Sequence, residues 1–115
     1  MKVGIDLVHI PEMERIIGKR PRFRARLFSE REILYCESKA RPGRHFAARF
    51  AAKEAFVKAT GYRGPLKSIE VLLEPGGSPY LEVAGEGRGV IAGGSAALSL
   101  THSGEYAAAV VVAAD

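Results

Sequence analysis

The segment that most constrains this chain is Arg49-Phe50-Ala51-Ala52-Lys53-Glu54-Ala55-Phe56-Val57-Lys58-Ala59, which sets ionisable groups into a helix otherwise composed for burial. At about 100° per residue, Glu54 and Lys58 lie about 40° apart and one turn along. Phe46, Phe50 and Val57 fall on the neighbouring stripe, with small Ala47 and Ala51 close to Glu54. The Glu54 carboxylate is therefore expected at the edge of an apolar face, where a charge is costly unless paired. By itself this spacing fits an i,i+4 Glu–Lys pair on a solvated helix as well as a functional site.

The two ends of the chain carry similar conflicts. Val3-Gly4-Ile5-Asp6-Leu7-Val8-His9-Ile10 reads as a strand with an acid in its apolar run. Such an aspartate caps the next element, pairs with a base or holds a metal. Ala97-Leu98-Ser99-Leu100-Thr101-His102-Ser103 alternates like a strand and ends in hydroxyls around His102, where side chains can project into a cleft. Tyr106 to Ala113 is a nearly unbroken apolar strand. Polar residues at odds with buried elements are where function overrides local packing.

The remaining chain reads as a mixed domain of the α+β class. A first strand covers about Lys2 to Ile10, and Pro11 opens a short helix through Ile17. A second helix runs from about Pro21 to Leu27, and Ser29 with Glu32 forms a capping box starting a third, which reaches about Ala40. Pro42-Gly43 breaks the chain before a long helix, roughly Arg44 to Thr60, with Gly61 as its C-cap. Ser68 to Leu73 and Tyr80 to Val83 form a hairpin across Glu74–Pro79, and the last two strands form another across Ser103-Gly104-Glu105. The Gly-rich span from Gly85 to Gly94 reads as a loop around a short helical piece, without the setting of a dinucleotide fingerprint or a P-loop.

Size and composition narrow the class. With 115 residues, 47% of them hydrophobic, the chain is expected to form one domain, 1–115, around one core. No long apolar h-region stands at the N-terminus, and no apolar run approaches the roughly 18 residues of a membrane span, so the cytoplasm is the expected address. The lone Cys36 excludes an intramolecular disulfide framework and a multi-cysteine zinc site. His9 is expected to be a core or edge histidine, and His45 falls almost opposite Glu54 around the helix.

The net charge of +4 is unevenly placed: Arg15, Lys19, Arg20, Arg22, Arg24, Arg26 and Arg31 crowd one region, against Glu12, Glu14 and Glu30. Nucleic acid, an anionic membrane surface or an acidic protein could answer such a patch, and so could solvent alone. A basic α/β nucleic-acid-binding module is the competing reading. It has only Phe23 and Phe28 to offer for base stacking, and leaves Asp6, Glu54 and His102 without a role. Two carboxylates from distant segments, Asp6 and Glu54, suit instead a hard divalent ion such as Mg²⁺, with too few protein ligands for a closed cage.

Gly4-Ile5-Asp6, Phe28-Ser29-Glu30-Arg31-Glu32, the Arg49–Ala59 helix, and Ser99-Leu100-Thr101-His102-Ser103 before Tyr106-Ala107-Ala108-Ala109 stand in a telling order. Together they resemble the holo-[acyl-carrier-protein] synthase family, the small 4′-phosphopantetheinyl transferases, over essentially the whole chain. The resemblance implies a single compact domain, an antiparallel sheet packed with a long central helix and short N-terminal helices. It implies that a carrier-protein serine hydroxyl attacks the β-phosphate of coenzyme A and that adenosine 3′,5′-bisphosphate leaves, in support of fatty acid biosynthesis. Asp6 and Glu54 match the family's Mg²⁺ ligands, and Glu54 also helps orient or deprotonate the nucleophile through water. Lys58 matches the lysine at the pyrophosphate, His102 the histidine at the coenzyme A phosphates, and Arg49 is assigned to the 3′-phosphate.

The resemblance also implies partners and an assembly. Arg15, Arg22 and the basic residues around them match the docking region for an acidic acyl carrier protein, with no nucleic-acid or membrane partner. The turn before Tyr80 and the Gly-rich loop would supply backbone contacts to the adenine. Homotrimers are implied, with the coenzyme A cleft between neighbouring subunits. The chain departs from the family after Ala59, where Thr60-Gly61-Tyr62-Arg63-Gly64 replaces a glycine-rich turn and leaves the shape of the loop beside Lys58 open.

Overall fold

The long helix is the axis around which everything else is arranged. The computed structural model describes residues 1–85 and 96–114. The elements run β1 (Lys2–His9), α1 (Ile10–Lys19), α2 (Pro21–Leu27), α3 (Glu30–Glu37), α4 (Pro42–Thr60), a 3₁₀ turn (Leu66–Ser68), β2 (Ile69–Leu73), β3 (Pro79–Val83), β4 (Ala96–Ser103) and β5 (Tyr106–Ala113). The expected Gly-rich loop and its short helical piece lie, from residue 86 on, outside the described residues.

Two antiparallel sheets pack on α4: three strands in the order β1-β5-β4, and the β2–β3 hairpin as a separate pair. In the larger sheet Asp6 pairs with Ala109 across β1–β5, and Leu100 pairs with Ala109 from the other side. Gly104 takes φ +57° in the β4–β5 turn, where a side chain would be strained. Small residues set the distance between sheet and helix. Ala51, Ala52 and Ala55 are fully buried, and a Cβ on Gly4 would run into the backbone carbonyl of Ala55. Gly4 is thus a point of close approach, and it brings Asp6 two residues later against α4.

Helix boundaries shift modestly from the sequence expectation. The long helix begins at Pro42 rather than Arg44, because proline is well accommodated in a first turn, whose N–H groups lack partners anyway. α1 starts one residue earlier and runs two residues longer, and α3 stops at Glu37 rather than Ala40. Gly61 closes α4 in the left-handed conformation at φ 76°, as expected. The bulky Tyr62 turns into the core: it is 6% exposed, packs on Phe56 at 5.8 Å and donates its hydroxyl to the Pro65 carbonyl at 3.0 Å.

α4 is buried nearly all round, as expected of a helix enclosed by other elements on most sides. One cluster, with Phe56, Ile69, Val71 and Val111, lies between α4 and the sheets. A second, with Ile10, Met13, Phe28 and Phe46, lies between α4 and α1–α3. Cys36 belongs to the second as a buried helix thiol, and burial pushes it up to about 12.

Candidate active site

Strand alternation places Val3, Ile5 and Leu7 on the outer face of β1 and turns Gly4, Asp6 and Val8 towards α4. Asp6 meets Lys58 there: the Nζ stands 3.1 Å from Asp6 Oδ1 and donates to the Ile5 carbonyl at 3.0 Å. The expected i,i+4 partnership of Lys58 with Glu54 is thus replaced by a tertiary one, because β1 offers both a carboxylate and a carbonyl within reach. Glu54 makes no ion pair among the described residues. Burial raises its pKa, the Asp6 charge raises it further, and Lys58 only partly offsets this.

Asp6 and Glu54 share a cleft of about 320 Å³ with His9, Glu12, Met13 and Phe50. Its apolar wall explains the desolvation of Glu54, and its three carboxylates, Asp6, Glu12 and Glu54, leave a local deficit of positive charge. Among the described residues no group of three or more histidine, cysteine or acidic side chains forms a closed metal cage. Two hard oxygen donors in an open cleft fit Mg²⁺, which keeps water and phosphate oxygens as its other ligands.

Arg49 and His102 lie elsewhere. Five residues separate Arg49 from Glu54, about 140° around the helix, and nine separate it from Lys58, about 180°. The structure brings Arg49 and His102 together in a second cleft of about 250 Å³, with Tyr35, His45, Thr101 and, from the turn before Tyr80, Gly77 and Pro79. Arg49 is 3% exposed, yet its Nε has no hydrogen-bond partner and its Nη1 reaches only the His45 carbonyl at 3.4 Å. Its guanidinium stacks over the Tyr35 ring at 4.3 Å. Among the described residues no carboxylate lines this cleft, an electrostatic setting that favours an anion.

The sequence reading passed over the most deeply buried ion pair. Lys53 and Glu32 are both fully enclosed and meet at 2.7 Å, and Lys53 also donates to the carbonyls of Leu66 and Ile69 at 2.9 and 2.6 Å. Glu32 closes the capping box with Ser29 and accepts from the Val71 N–H at 3.0 Å. Burial pushes the Lys53 pKa down while Glu32 pushes it back up. The signal was present: Lys53 stands seven residues after Phe46 and three before Phe56, on the same apolar stripe. His9, expected as a core or edge histidine, is the half-buried last residue of edge strand β1, 3.5 Å from Glu105 and with its ring tilted against Tyr106 at 5.3 Å.

The basic region divides in the same way. Arg24 is bound to Glu37 at 2.7 Å, and Arg31 to Glu70 at 2.6 Å and Glu82 at 3.5 Å. Arg15 keeps only a loose contact with Glu12 at 3.8 Å, and Arg20, Arg22 and Arg26 surround Phe23 on the surface of α2. Among the described residues no helix is long and apolar enough to cross a membrane.

A close-packed α+β unit with a carboxylate pair beside a lysine and a separate anion cleft defines a narrow class, and comparison with known proteins names it. The sequence pattern of the 4′-phosphopantetheinyl transferase superfamily matches residues 2–111, and the chain belongs to that superfamily. A holo-[acyl-carrier-protein] synthase from Moorella thermoacetica is 40% identical to it over 118 residues, covering 97% of this chain and 92% of that one. The crystal structure of the holo-[acyl-carrier-protein] synthase from Neisseria meningitidis superposes with a TM-score of 0.86 at 28% identity, covering 99% of this chain and 98% of the other. The Helicobacter pylori holo-[acyl-carrier-protein] synthase in complex with coenzyme A gives 0.83 at 28% identity, covering 97% and 99%.

Proposed function

We propose that this chain is a holo-[acyl-carrier-protein] synthase, in which residues 1–115 act as one catalytic unit. It moves the 4′-phosphopantetheine of coenzyme A onto a serine hydroxyl of an apo acyl carrier protein. The serine oxygen forms a bond to the β-phosphorus, the bond from that phosphorus to the bridging oxygen breaks, and adenosine 3′,5′-bisphosphate leaves. The single observation that carries the reading is the facing pair Asp6 and Glu54, with Glu54 lacking an ion pair among the described residues while Lys58 is held beside Asp6.

Asp6 and Glu54 would hold the Mg²⁺ ion, which would supply partial neutralisation of the pyrophosphate. Glu54, at the edge of the same cleft, is also placed to orient the serine hydroxyl or accept its proton through water. Lys58 can leave Asp6 for the pyrophosphate and counter the charge that builds on it, since its ammonium group is half exposed. Arg49 and His102 take the phosphates of the nucleotide, Arg49 the 3′-phosphate, and the turn carrying Gly77 and Pro79 meets the adenine. Arg15, Arg22 and their basic neighbours face the acidic carrier. The product serves fatty acid biosynthesis in the cytoplasm.

The assembly we propose is a homotrimer. Val3, Ile5 and Leu7 are 66%, 66% and 64% exposed, and in register with them on β5 stand Val112, Val110 and Ala108. This apolar sheet face is costly to leave in water and supports an obligate interface. A nucleotide reaching both the carboxylates and the Arg49–His102 cleft, on different sides of α4, would pass between two copies.

Intact-mass measurement of an apo acyl carrier protein incubated with this protein, coenzyme A and Mg²⁺ tests the reading. The expected outcome is a gain of one phosphopantetheine that disappears with EDTA and with Asp6→Ala. No gain with any fatty-acid or polyketide carrier would overturn it.

A further inference from the structure

The Arg49 cleft contains a titratable group that the proposed reaction does not use. His45 lies one turn before Arg49 on α4, half-buried, with its ring edge-on to Tyr35 at 5.9 Å. The same Tyr35 ring carries Arg49 at 4.3 Å and Lys39 at 4.6 Å. Among the described residues, the charged and titratable groups around His45 are Tyr35 and Lys39 from α3 and its end, Arg44 and Arg49 from α4, and His102 from β4. The β2–β3 turn contributes only Gly77 and Pro79. Among the described residues no acid lines the cleft to offset these cations, and Glu37 at the end of α3 is occupied by Arg24.

An empty cleft of this kind resists a further positive charge. Burial lowers the pKa of His45, and Arg49, Lys39, Arg44 and His102 lower it again. A neutral imidazole offers one N–H donor and one lone pair, whereas the protonated ring offers two donors. The arrival of a dianion offsets this positive field and supplies an acceptor for a second N–H, and the ring then gains from taking a proton.

We propose that His45 is a specificity residue of the Arg49 cleft, taking up a proton as a phosphate monoester enters, so that the cleft selects a nucleotide with a 3′-phosphate over one with a free 3′-hydroxyl. The inference rests on the reading of this cleft as the nucleotide-phosphate site and adds His45 to it. The direction of the linkage follows: affinity for the phosphorylated nucleotide strengthens as pH falls through the pKa of His45 in the complex. It levels off below the lowered pKa of the empty cleft.

Titration calorimetry of the full chain with coenzyme A and with 3′-dephospho-coenzyme A near pH 7.5, in two buffers of different ionisation heat, reads the proton directly. Wild-type protein should take up a fraction of a proton with coenzyme A and none with the dephospho form. His45→Gln should lose that uptake, and its preference for coenzyme A should shrink about tenfold, the loss of one charge-assisted hydrogen bond. The second ionisation of the phosphate, near pH 6, is common to wild type and variant, so their difference isolates His45. His45→Lys, which carries a fixed charge, should keep the preference and lose the uptake, while His102→Gln should keep the uptake. Uptake that persists in His45→Gln, or that vanishes only in His102→Gln, would overturn the proposal while coenzyme A binding still stood. Wild-type protein that binds neither nucleotide would overturn the transferase reading and this inference with it.

Discussion

At the scale of single residues, neighbouring positions on α4 do opposite things. Lys53 points into the core and is held by Glu32 and two carbonyls, while Glu54 points to a cleft and has no ion pair among the described residues. Removing one partner of an enclosed ion pair strands the other, at a cost of about 3–5 kcal/mol. Lys53→Met is therefore expected to lose most of the stability of the domain in urea unfolding, and Glu32→Leu added to it should recover part of the loss. Glu54 behaves in reverse. Its folded pKa is raised above the unfolded value, so its contribution to stability is present at low pH and is lost as pH rises through the folded pKa. At neutral pH the charged form is a liability without a cation. Glu54→Gln should raise the metal-free unfolding free energy by up to about 1 kcal/mol and abolish both turnover and the Mg²⁺-induced rise in melting temperature.

At the scale of elements, β1 and α4 form the site because Gly4 lets them touch, and α3 and β2 hold α4 from the other side through the Glu32–Lys53 pair. α1 packs on α4 through Ile10, Met13 and Ile17, while Arg15 on α1 and Arg22 on α2 stay outside these internal ion pairs. Charge reversal at Arg15 and Arg22 together is expected to weaken carrier binding at least tenfold at moderate salt and to leave coenzyme A affinity unchanged. Carrier modification with unchanged kinetics in that double variant would exclude this face as the docking surface. Arg24 and Arg31 are poor choices for such a test, since each holds an internal ion pair and its loss would also loosen α3.

At the scale of the whole molecule, the exposed apolar face of β1 and β5 is the surface on which the proposed trimer rests. Val3→Glu combined with Ile5→Glu places two charges on the apolar face while leaving the inward positions Gly4 and Asp6 alone. Sedimentation should show a shift from trimer to monomer, with transfer activity falling together with the assembly. A wild-type chain that sediments as a fully active monomer would remove the trimer from the account.

Much of this protein was legible in one dimension. Helical and strand periods, Pro11, Pro42, Gly61, the Ser29–Glu32 box and the Gly104 turn mark most elements within a few residues, since each acts through local backbone geometry. The ordered polar residues Asp6, Glu54, Lys58 and His102 point to the family. Which of them meet was not legible, because that depends on the direction in which each element leaves α4. Although the turn of about 140° between Arg49 and Glu54 around α4 already follows from their spacing, only the tertiary structure turns Lys58 from Glu54 to Asp6 and draws Arg49, His102 and His45 into one cleft. The same holds for Lys53, whose charge the sequence displays but whose burial against Glu32 is set by contacts between residues 21 positions apart. Local chemistry is written along the chain, whereas distance, burial and therefore electrostatics belong to the packed molecule.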